Sequence, residues 1–479
     1  MKKLVAKNFV VYSIPNIISK MLPFIILPIT TQYLTLHDFG MLALFNLCLL
    51  PFTVLTEYGS GYIINANWHT FNQKERKELM FTLMTIGFVL CALAFILIGG
   101  FSEPVFKVLA GEESQNIVQL FLFLCLSVTA SIPSRLFNNW VIIEQKALLC
   151  SLLTSAQIAI STIAMLGAVM LTQSYQMIIM ANVMVEVIFA SIRFIILIPN
   201  LTICPLKKHS QLILNIGSPI FIRSIFNQIR RQFDKVFVAT LFGASQFAIY
   251  NFSGRFNQIY ELFDTNFSKS FQPSIFKGLS EKNLQAKNIK IILFTWGLIT
   301  LAGGTLIILF GQIIIHLLTN GLFDKAYPLV VLYTCVFIIV LPFMGHAEII
   351  VFHQKTRYLL GMTVIQAIII VIASLLLIPR IGAAGGIIAM WVGTLVYMGL
   401  YWAKKSQLHP EAFIEKIITP YVVVFHIMAI LKYIDLDWIA DPLAISLLAL
   451  IGFHLFRICF IHRFTNLSLF KSRKAAQIS

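Results

Sequence analysis

The stretch ILNIGSPIFIRSIFNQIRRQFDKVFVATLFG, residues 213–243, is a long apolar run that carries several charges, and a second run of this kind follows at residues 246–276. Each run exceeds the roughly 20 residues that cross a bilayer as a helix, so we predict a membrane-spanning helix over each. An ionised side chain that faces lipid at mid-bilayer costs roughly 2.5–3.5 kcal/mol. We therefore expect the charges of both helices to face protein or a water-filled cavity. The charged residues are Arg223, Arg230, Arg231, Asp234, Lys235, Arg255, Glu261, Asp264 and Lys269.

Each of the two helices carries a polar stripe, because its polar residues recur at three- or four-residue spacing and so share one face. The stripes consist of Arg223, Asn227, Arg230 and Asp234 on the first helix, and of Asn257, Glu261, Asp264 and Ser268 on the second. Two such stripes on neighbouring helices predict a wet interior lining. Structural ion pairs at helix ends are the alternative for Asp234, Lys235 and Lys269.

The composition excludes a soluble globular protein. The 479 residues are 58% hydrophobic and 12% charged, and the mean hydropathy is +0.85. Apolar runs divide the sequence into about fourteen membrane-spanning helices, the second at residues 39–66, the tenth at 329–352 and the last at 443–461. We therefore predict an all-α polytopic membrane protein.

The net charge of +16 is distributed unequally between the loops on the two sides of the predicted membrane. With the N-terminus inside, the outer loops hold only Lys107, Lys325, Arg380 and Lys432, and the other loop lysines and arginines are cytoplasmic. This asymmetry predicts that both termini lie in the cytoplasm. We attribute the excess positive charge to topology and to contact with anionic membrane lipids, not to nucleic acid.

The two halves of the sequence share landmarks at one constant offset, since Phe39 falls on Phe247 and Leu109 on Leu317. An even number of helices in each unit makes the units parallel repeats. We predict two six-helix lobes, residues 1–206 and 207–404, followed by two further helices and a cytoplasmic tail at 405–479. The substrate path would lie between the lobes.

Further intramembrane charges extend the candidate site. Lys20 lies among the prolines of the first helix, Arg135 follows Pro133, and Glu57 lies in the cytoplasmic half of the second helix. Cations exceed carboxylates in this set, so the ligand should be an anion. The candidate substrate-binding residues are Lys20, Arg135, Arg223, Arg230 and Arg255. The candidate ion-coupling residues are Glu57, Glu261 and Asp264, for which structural ion pairs are the alternative.

No cofactor or metal site is indicated by the sequence. Its seven cysteines are scattered without a CxxC pair, and its histidines are dispersed. Arg193 and Arg457 lie near predicted cytoplasmic helix ends, where their side chains would snorkel to the interface.

Three short motifs carry a resemblance to a known family. LIPRIGAAGG at 377–386 is similar to the "IP-x-G-x-x-G-A" turn of polysaccharide exporters, DFG at 38–40 to their first-helix turn, and DK at 234–235 with LFG at 241–243 and AIY at 248–250 to their seventh-to-eighth helix signature. Ala248 stands where the family usually has glycine. The sequence thus resembles the multidrug/oligosaccharidyl-lipid/polysaccharide (MOP) exporter superfamily, and within it the Wzx-type flippases.

The resemblance implies a V-shaped transporter of the bacterial inner membrane that works by alternating access. The implied substrate is an O-antigen or similar repeat unit on undecaprenyl pyrophosphate, whose charge matches the basic residues. Proton or sodium coupling, and contact with other membrane proteins of polysaccharide assembly, are left open.

The sequence is less consistent with two other functions. A drug or organic-cation antiporter of the same superfamily would need an acidic, aromatic cavity, which the excess of arginine disfavours. A membrane polymerase, ligase or lipid-linked glycosyltransferase would need a large outer loop or a carboxylate–metal site, and the sequence indicates neither. The sequence therefore favours a transporter over an enzyme.

Overall fold

The computed structural model describes residues 18, 21–68, 70–99, 117–144, 146–205, 207–280, 286–345, 350, 356–404 and 414–475. Helices are the only regular elements among these residues. They are α1 (Met21–Thr30), α2 (Leu36–Glu57), α3 (Ser60–Asn67), α4 (Gln73–Gly99), α5 (Ile117–Ile143), α6 (Ala147–Thr172), α7 (Tyr175–Leu197), α8 (Lys207–Ser280), α9 (Ala286–Thr319), α10 (Tyr327–Ile338), α11 (Thr356–Ile381), α12 (Ala384–Lys404), α13 (Glu415–Tyr433) and α14 (Asp437–Ala475).

Twelve segments within the described ranges are long and apolar enough to cross a membrane. One of them, Ile220–Gln258, contains two helices that meet at Gly243, and α1 is the described part of the first predicted helix. The all-α polytopic prediction of fourteen helices is therefore confirmed.

Gly243 divides α8 at the position that the sequence predicted. Its φ of 75° and ψ of 179° are open to glycine and strained for residues with a Cβ atom. The helix therefore consists of an N-terminal half, which carries Arg223 and Arg230, and a C-terminal half, which carries Arg255.

The second predicted helix is broken, which corrects the expectation of one continuous helix over 39–66. Thr35 and Asp38 form a capping box at the start of α2, and the helix ends at Glu57. Tyr58 and Gly59 follow with φ values of 41° and 70°, in the left-handed region that stops a right-handed helix. The chain then resumes as α3, so one membrane span is made of two helices.

Two other predicted boundaries were wrong. The tenth predicted helix is interrupted, because α10 ends at Ile338, a 3₁₀ turn at Leu341–Phe343 follows, and Ile350 is helical again. Pro342 has no backbone N–H to continue the helix, and Gly345 has a φ of 82°. At the other extreme α14 has 39 residues, about 58 Å at 1.5 Å per residue, and extends past the predicted end at residue 461.

The chain divides into two compact units. The first comprises Met1–Phe252, Leu317–Phe323 and Ile370–Gly386, and the second comprises Ser253–His316, Asp324–Ile369 and Ile387–Ser479. In the first unit α5 packs against α2, α4 and α7, and α6 packs against α7. In the second unit α13 packs against α10 and α14. The lobe boundaries at 206 and 404 stay a prediction.

The three sequence motifs meet in the first unit. Gly40 touches the backbone at Ala244, where an added Cβ atom would overlap the carbonyl group and lie 2.9 Å from Cα. A Cβ atom at Gly386 would lie 2.6 Å from the hydroxyl of Tyr250 and 3.3 Å from Cβ of Asp234. These contacts explain Gly40 of the DFG motif and Gly386 of the LIPRIGAAGG motif, because any side chain there would push the helices apart.

Asp234 belongs to this packed core. It is fully buried and accepts a hydrogen bond from the Tyr250 hydroxyl. The side chain therefore faces protein and has a tyrosine as its hydrogen-bond partner, whereas the ion pair that the sequence left open for Asp234 stays a prediction.

Candidate functional site

Arg135 on α5 lies beside the last turn of α2, immediately before the helix break. Its Nη1 donates to the Thr53 carbonyl, and its Nη2 donates to the Thr56 hydroxyl at 2.5 Å. Nε and Nη2 also donate to the carbonyl and hydroxyl of Ser131, at 3.2 and 2.9 Å. An arginine has five N–H donors, so these four bonds leave one N–H on Nη1 for a ligand.

Glu57 is the last residue of α2, and its side chain is exposed. Within the part of the chain that is described, it has no ion pair within 4.0 Å. Arg135 binds Thr53 and Thr56, and Glu57 is the next residue of the chain. The guanidinium of Arg135 and the carboxylate of Glu57 are therefore close enough to interact electrostatically. Lys20, a candidate substrate-binding residue, lies outside the described residues.

The N-terminal half of α8 presents arginines in two environments. Arg223 and Arg231 are exposed, whereas Arg230 is half-buried. Arg223 has neither a hydrogen bond nor an ion pair to any described residue. A guanidinium with its donors free on a membrane-spanning helix needs water or an anionic ligand.

Arg255 belongs to the second unit, on the C-terminal half of α8. It is half-buried, and the described residues offer it no hydrogen bond or ion pair. Two residues further along the same helix, the side-chain carbonyl oxygen of Asn257 is buried and also has no hydrogen-bond partner among the described residues. The side chains of Glu261 and Asp264, on the same helix half, lie outside the described residues.

A buried polar group joins α5 and α7 and was not predicted as such. Glu186 accepts a hydrogen bond from Ser127, and Arg193 donates from Nη1 to the Ser134 hydroxyl at 3.2 Å. Arg193 is only 3% exposed, so the expectation that it snorkels was wrong. Seven residues separate the two members on each helix, and this matched spacing is a signal that the sequence contained.

A second polar cluster lies where α4 and α8 begin, around the buried side chain of Glu78. Lys208 forms an ion pair with Glu78, and Nε2 of His209 lies 4.0 Å from the same carboxylate. The hydrogen bond to Glu78 raises the pKa of Lys208, whereas burial lowers the pKa of His209. The sequence contained no signal for this cluster, because it forms only where two helices that are far apart in the sequence pack together.

Comparison with known proteins identifies both a family and a fold. Residues 5–265, more than half of the chain, match the family described as polysaccharide biosynthesis protein. No curated protein matches the sequence. Among solved structures, the lipid II flippase MurJ in an inward closed conformation aligns with a TM-score of 0.73 and 13% identity, over 94% of this chain and 100% of that chain.

Two transporters of the MOP superfamily have the same fold at lower similarity. An inward-facing multidrug resistance MATE transporter aligns with a TM-score of 0.56 and 11% identity, over 83% of this chain and 98% of that chain. A Pyrococcus furiosus transporter, described as having a binding pocket of reverse polarity, aligns with a TM-score of 0.52 and 12% identity, over 84% and 95%. The chain is thus similar in fold to membrane transporters.

Proposed function

The chain belongs to the polysaccharide biosynthesis protein family, and from this premise we propose that it is a flippase for an undecaprenyl-pyrophosphate-linked oligosaccharide, such as an O-antigen repeat unit. The oligosaccharide would pass from the cytoplasmic to the periplasmic leaflet of the bacterial inner membrane. The lipid chain would stay in the bilayer while the head group crosses. The fold shared with the lipid II flippase MurJ supports a flippase over an enzyme.

The observation that carries this proposal is Arg223, an exposed arginine on a membrane-spanning helix for which no described residue is a hydrogen-bond or ion-pair partner. Arg230 shares its helix face, and Arg255 is a second arginine without a partner among the described residues. A pyrophosphate that leaves water needs donors to replace its hydration, and the planar fork of a guanidinium supplies two parallel donors to phosphate oxygens. Basic residues of this kind favour an anionic head group over an organic cation.

Movement between two access states is the mechanism we propose. Discontinuous membrane helices recur at transporter binding sites, where irregular backbone lines a cavity. The break at Tyr58 and Gly59 is such an interruption, and Arg135 braces the turn before it. Rocking of two six-helix lobes about the site would expose it to each side of the membrane in turn.

Arg223→Ala and Arg255→Ala are each expected to lower flipping by roughly tenfold to hundredfold, the effect of losing charge-assisted hydrogen bonds worth about 1.5–3 kcal/mol. Lysine at either position should restore only part of the activity, because a point charge lacks the bidentate geometry. The measurement is flipping of a labelled undecaprenyl-pyrophosphate oligosaccharide by purified protein in liposomes. Arg380→Ala is the matched control, since Arg380 is an exposed arginine in the last turn of α11. Normal flipping by both alanine variants at equal protein level would remove these residues from the site.

We further propose that flipping is coupled to a proton or sodium gradient through Glu57, Glu261 or Asp264. Neutralising a carboxylate would free a neighbouring arginine for pyrophosphate, and ionising it again would release the ligand. The expected result is that an imposed gradient accelerates flipping and that Gln or Asn at one of these positions abolishes the acceleration. If neither gradient changes the rate of flipping in the wild type or in any of the three variants, transport is uncoupled and these carboxylates have structural roles.

A further inference from the structure

The first unit contains an apolar cleft that the proposed head-group site does not use. It lies between α2 and the N-terminal half of α8 and has a volume of about 400 Å³. Pro51, Val54 and Leu55 form the α2 wall, and Ile225 and Ile229 lie on the α8 wall. Both walls belong to membrane-spanning segments. Cavities of roughly 300–1,000 Å³ hold small ligands, so this cleft has room for a length of chain.

The lining of the cleft selects a hydrocarbon occupant. Eight of its ten lining residues are apolar or aromatic, and the other two are Gln228 and Gln232. Water gains little from such walls, because they offer few hydrogen bonds. None of the described residues that line the cleft is charged, so an ionic head group would be desolvated there without compensation.

The cleft and the basic stripe occupy opposite sides of one helix. At 3.6 residues per turn, Ile225 and Gln232 stand on the side of α8 away from Arg223 and Arg230. A lipid with an anionic head and a long chain has the same two-part chemistry. The arginine side of α8 therefore suits the anionic head of such a lipid, and the cleft side of the same helix suits its long chain.

Gln228 adds a preference for an unsaturated chain. Its Nε2 is buried and has no hydrogen-bond partner among the described residues, although Gln228 lines the cleft. A saturated acyl chain offers this N–H nothing, whereas the π electrons of a double bond accept a weak hydrogen bond. A polyprenyl chain carries a double bond in every isoprene unit, and its methyl branches suit walls of branched side chains.

We propose that this cleft holds part of the polyprenyl chain of the lipid-linked substrate, with the apolar walls of α2 and α8 around the chain and the Gln228 amide against its double bonds. The inference rests on the proposed function, and it adds a site for the chain that is separate from the arginines that take the head group. It also implies that the chain contacts the protein on the α2 side of α8 while the head group crosses.

The test uses the full chain in lipid nanodiscs and a polyprenyl phosphate that carries a photoreactive diazirine on the chain. We expect labelled peptides from residues 51–55 and 225–233. Ile225→Trp and Ile229→Trp should each lower this labelling by roughly fivefold or more, because the indole ring fills the space that the chain needs. Ile222→Trp is the control, since Ile222 is 52% exposed on the same helix and does not line the cleft.

A second variant tests the role of the amide. Gln228→Leu keeps the cleft apolar and should reduce the preference for the polyprenyl probe over a saturated phospholipid probe with the same diazirine. If neither tryptophan variant lowers the labelling, the assignment of the cleft is wrong. It is also wrong if the phospholipid probe labels the same peptides of the wild type as strongly as the polyprenyl probe does. Labelling needs no sugar and no translocation, so the liposome flipping assay with Arg223→Ala separately decides the proposed function.

Discussion

Gly40→Ala is expected to remove most of the correctly folded protein from the membrane. The added methyl group would overlap the carbonyl of Ala244, so α2 and the start of the C-terminal half of α8 would have to separate. Overpacking of this kind costs roughly 1–3 kcal/mol and more where backbone must move, a large share of the roughly 5–15 kcal/mol that stabilises a folded protein. The measurement is the monodisperse fraction of a fluorescent fusion after detergent extraction, together with its Tm.

Gly361→Ala is the control for that substitution. It makes the same chemical change inside a helix, but an added Cβ atom at Gly361 has no neighbour within 4 Å. Alanine is a better helix former than glycine by roughly 0.5–1 kcal/mol, so this variant should be as abundant as the wild type or more so. Equal abundance and Tm for Gly40→Ala and the wild type would mean that α2 does not approach residue 244 this closely.

Arg135→Met is expected to lower flipping by roughly tenfold or more, because the turn before the helix break loses hydrogen bonds from a charged donor worth about 1.5–3 kcal/mol. Methionine keeps much of the apolar volume of the side chain but donates nothing to the Thr53 carbonyl or the Thr56 hydroxyl. Arg135→Lys should be intermediate, since one ammonium cannot reproduce donors that point in several directions. The liposome flipping assay gives the rate, and a thermal melt of the same samples reports the loss of stability.

The control for Arg135→Met is Arg357→Met, an exposed position in the first turn of α11. That variant should flip substrate at the wild-type rate. If Arg135→Met also flips normally, its four hydrogen bonds serve helix packing alone, and Arg135 leaves the set of candidate substrate-binding residues.

Membrane-spanning helices are the part of this fold that the sequence by itself determined. Whether a run of about 20 residues enters the bilayer depends on the transfer of its own side chains and on hydrogen bonds within the run. These are local quantities, so the helix number, the division of α8 at Gly243 and the polar stripe with Arg223 and Arg230 were all predictable. The family motifs could be identified for the same reason, because each motif is a short local string of fixed residue types.

Contacts between helices could only be decided by the tertiary structure. No sequence pattern places Asp234, Tyr250 and Gly386 together, yet they pack so closely that residue 386 must be glycine to leave room for the tyrosine hydroxyl. The break at Tyr58 and Gly59 was hidden because the apolar run continues through it. The helix ends there because Tyr58 and Gly59 adopt left-handed backbone conformations. The hydrophobicity of a sequence carries no information about the φ angle.

The environment of each arginine was likewise decided by packing. Arg135 and Arg193 occur in apolar runs similar to that of Arg223, but Thr56 and Ser134 of neighbouring helices accept hydrogen bonds from the first two, and no described residue accepts one from the third. A hydrogen bond needs its donor and acceptor within about 3 Å. Residues far apart in sequence meet that condition only through the fold, and so the sequence identified which residues carry charge, while the packing of the helices determined which of them keep donors for a ligand.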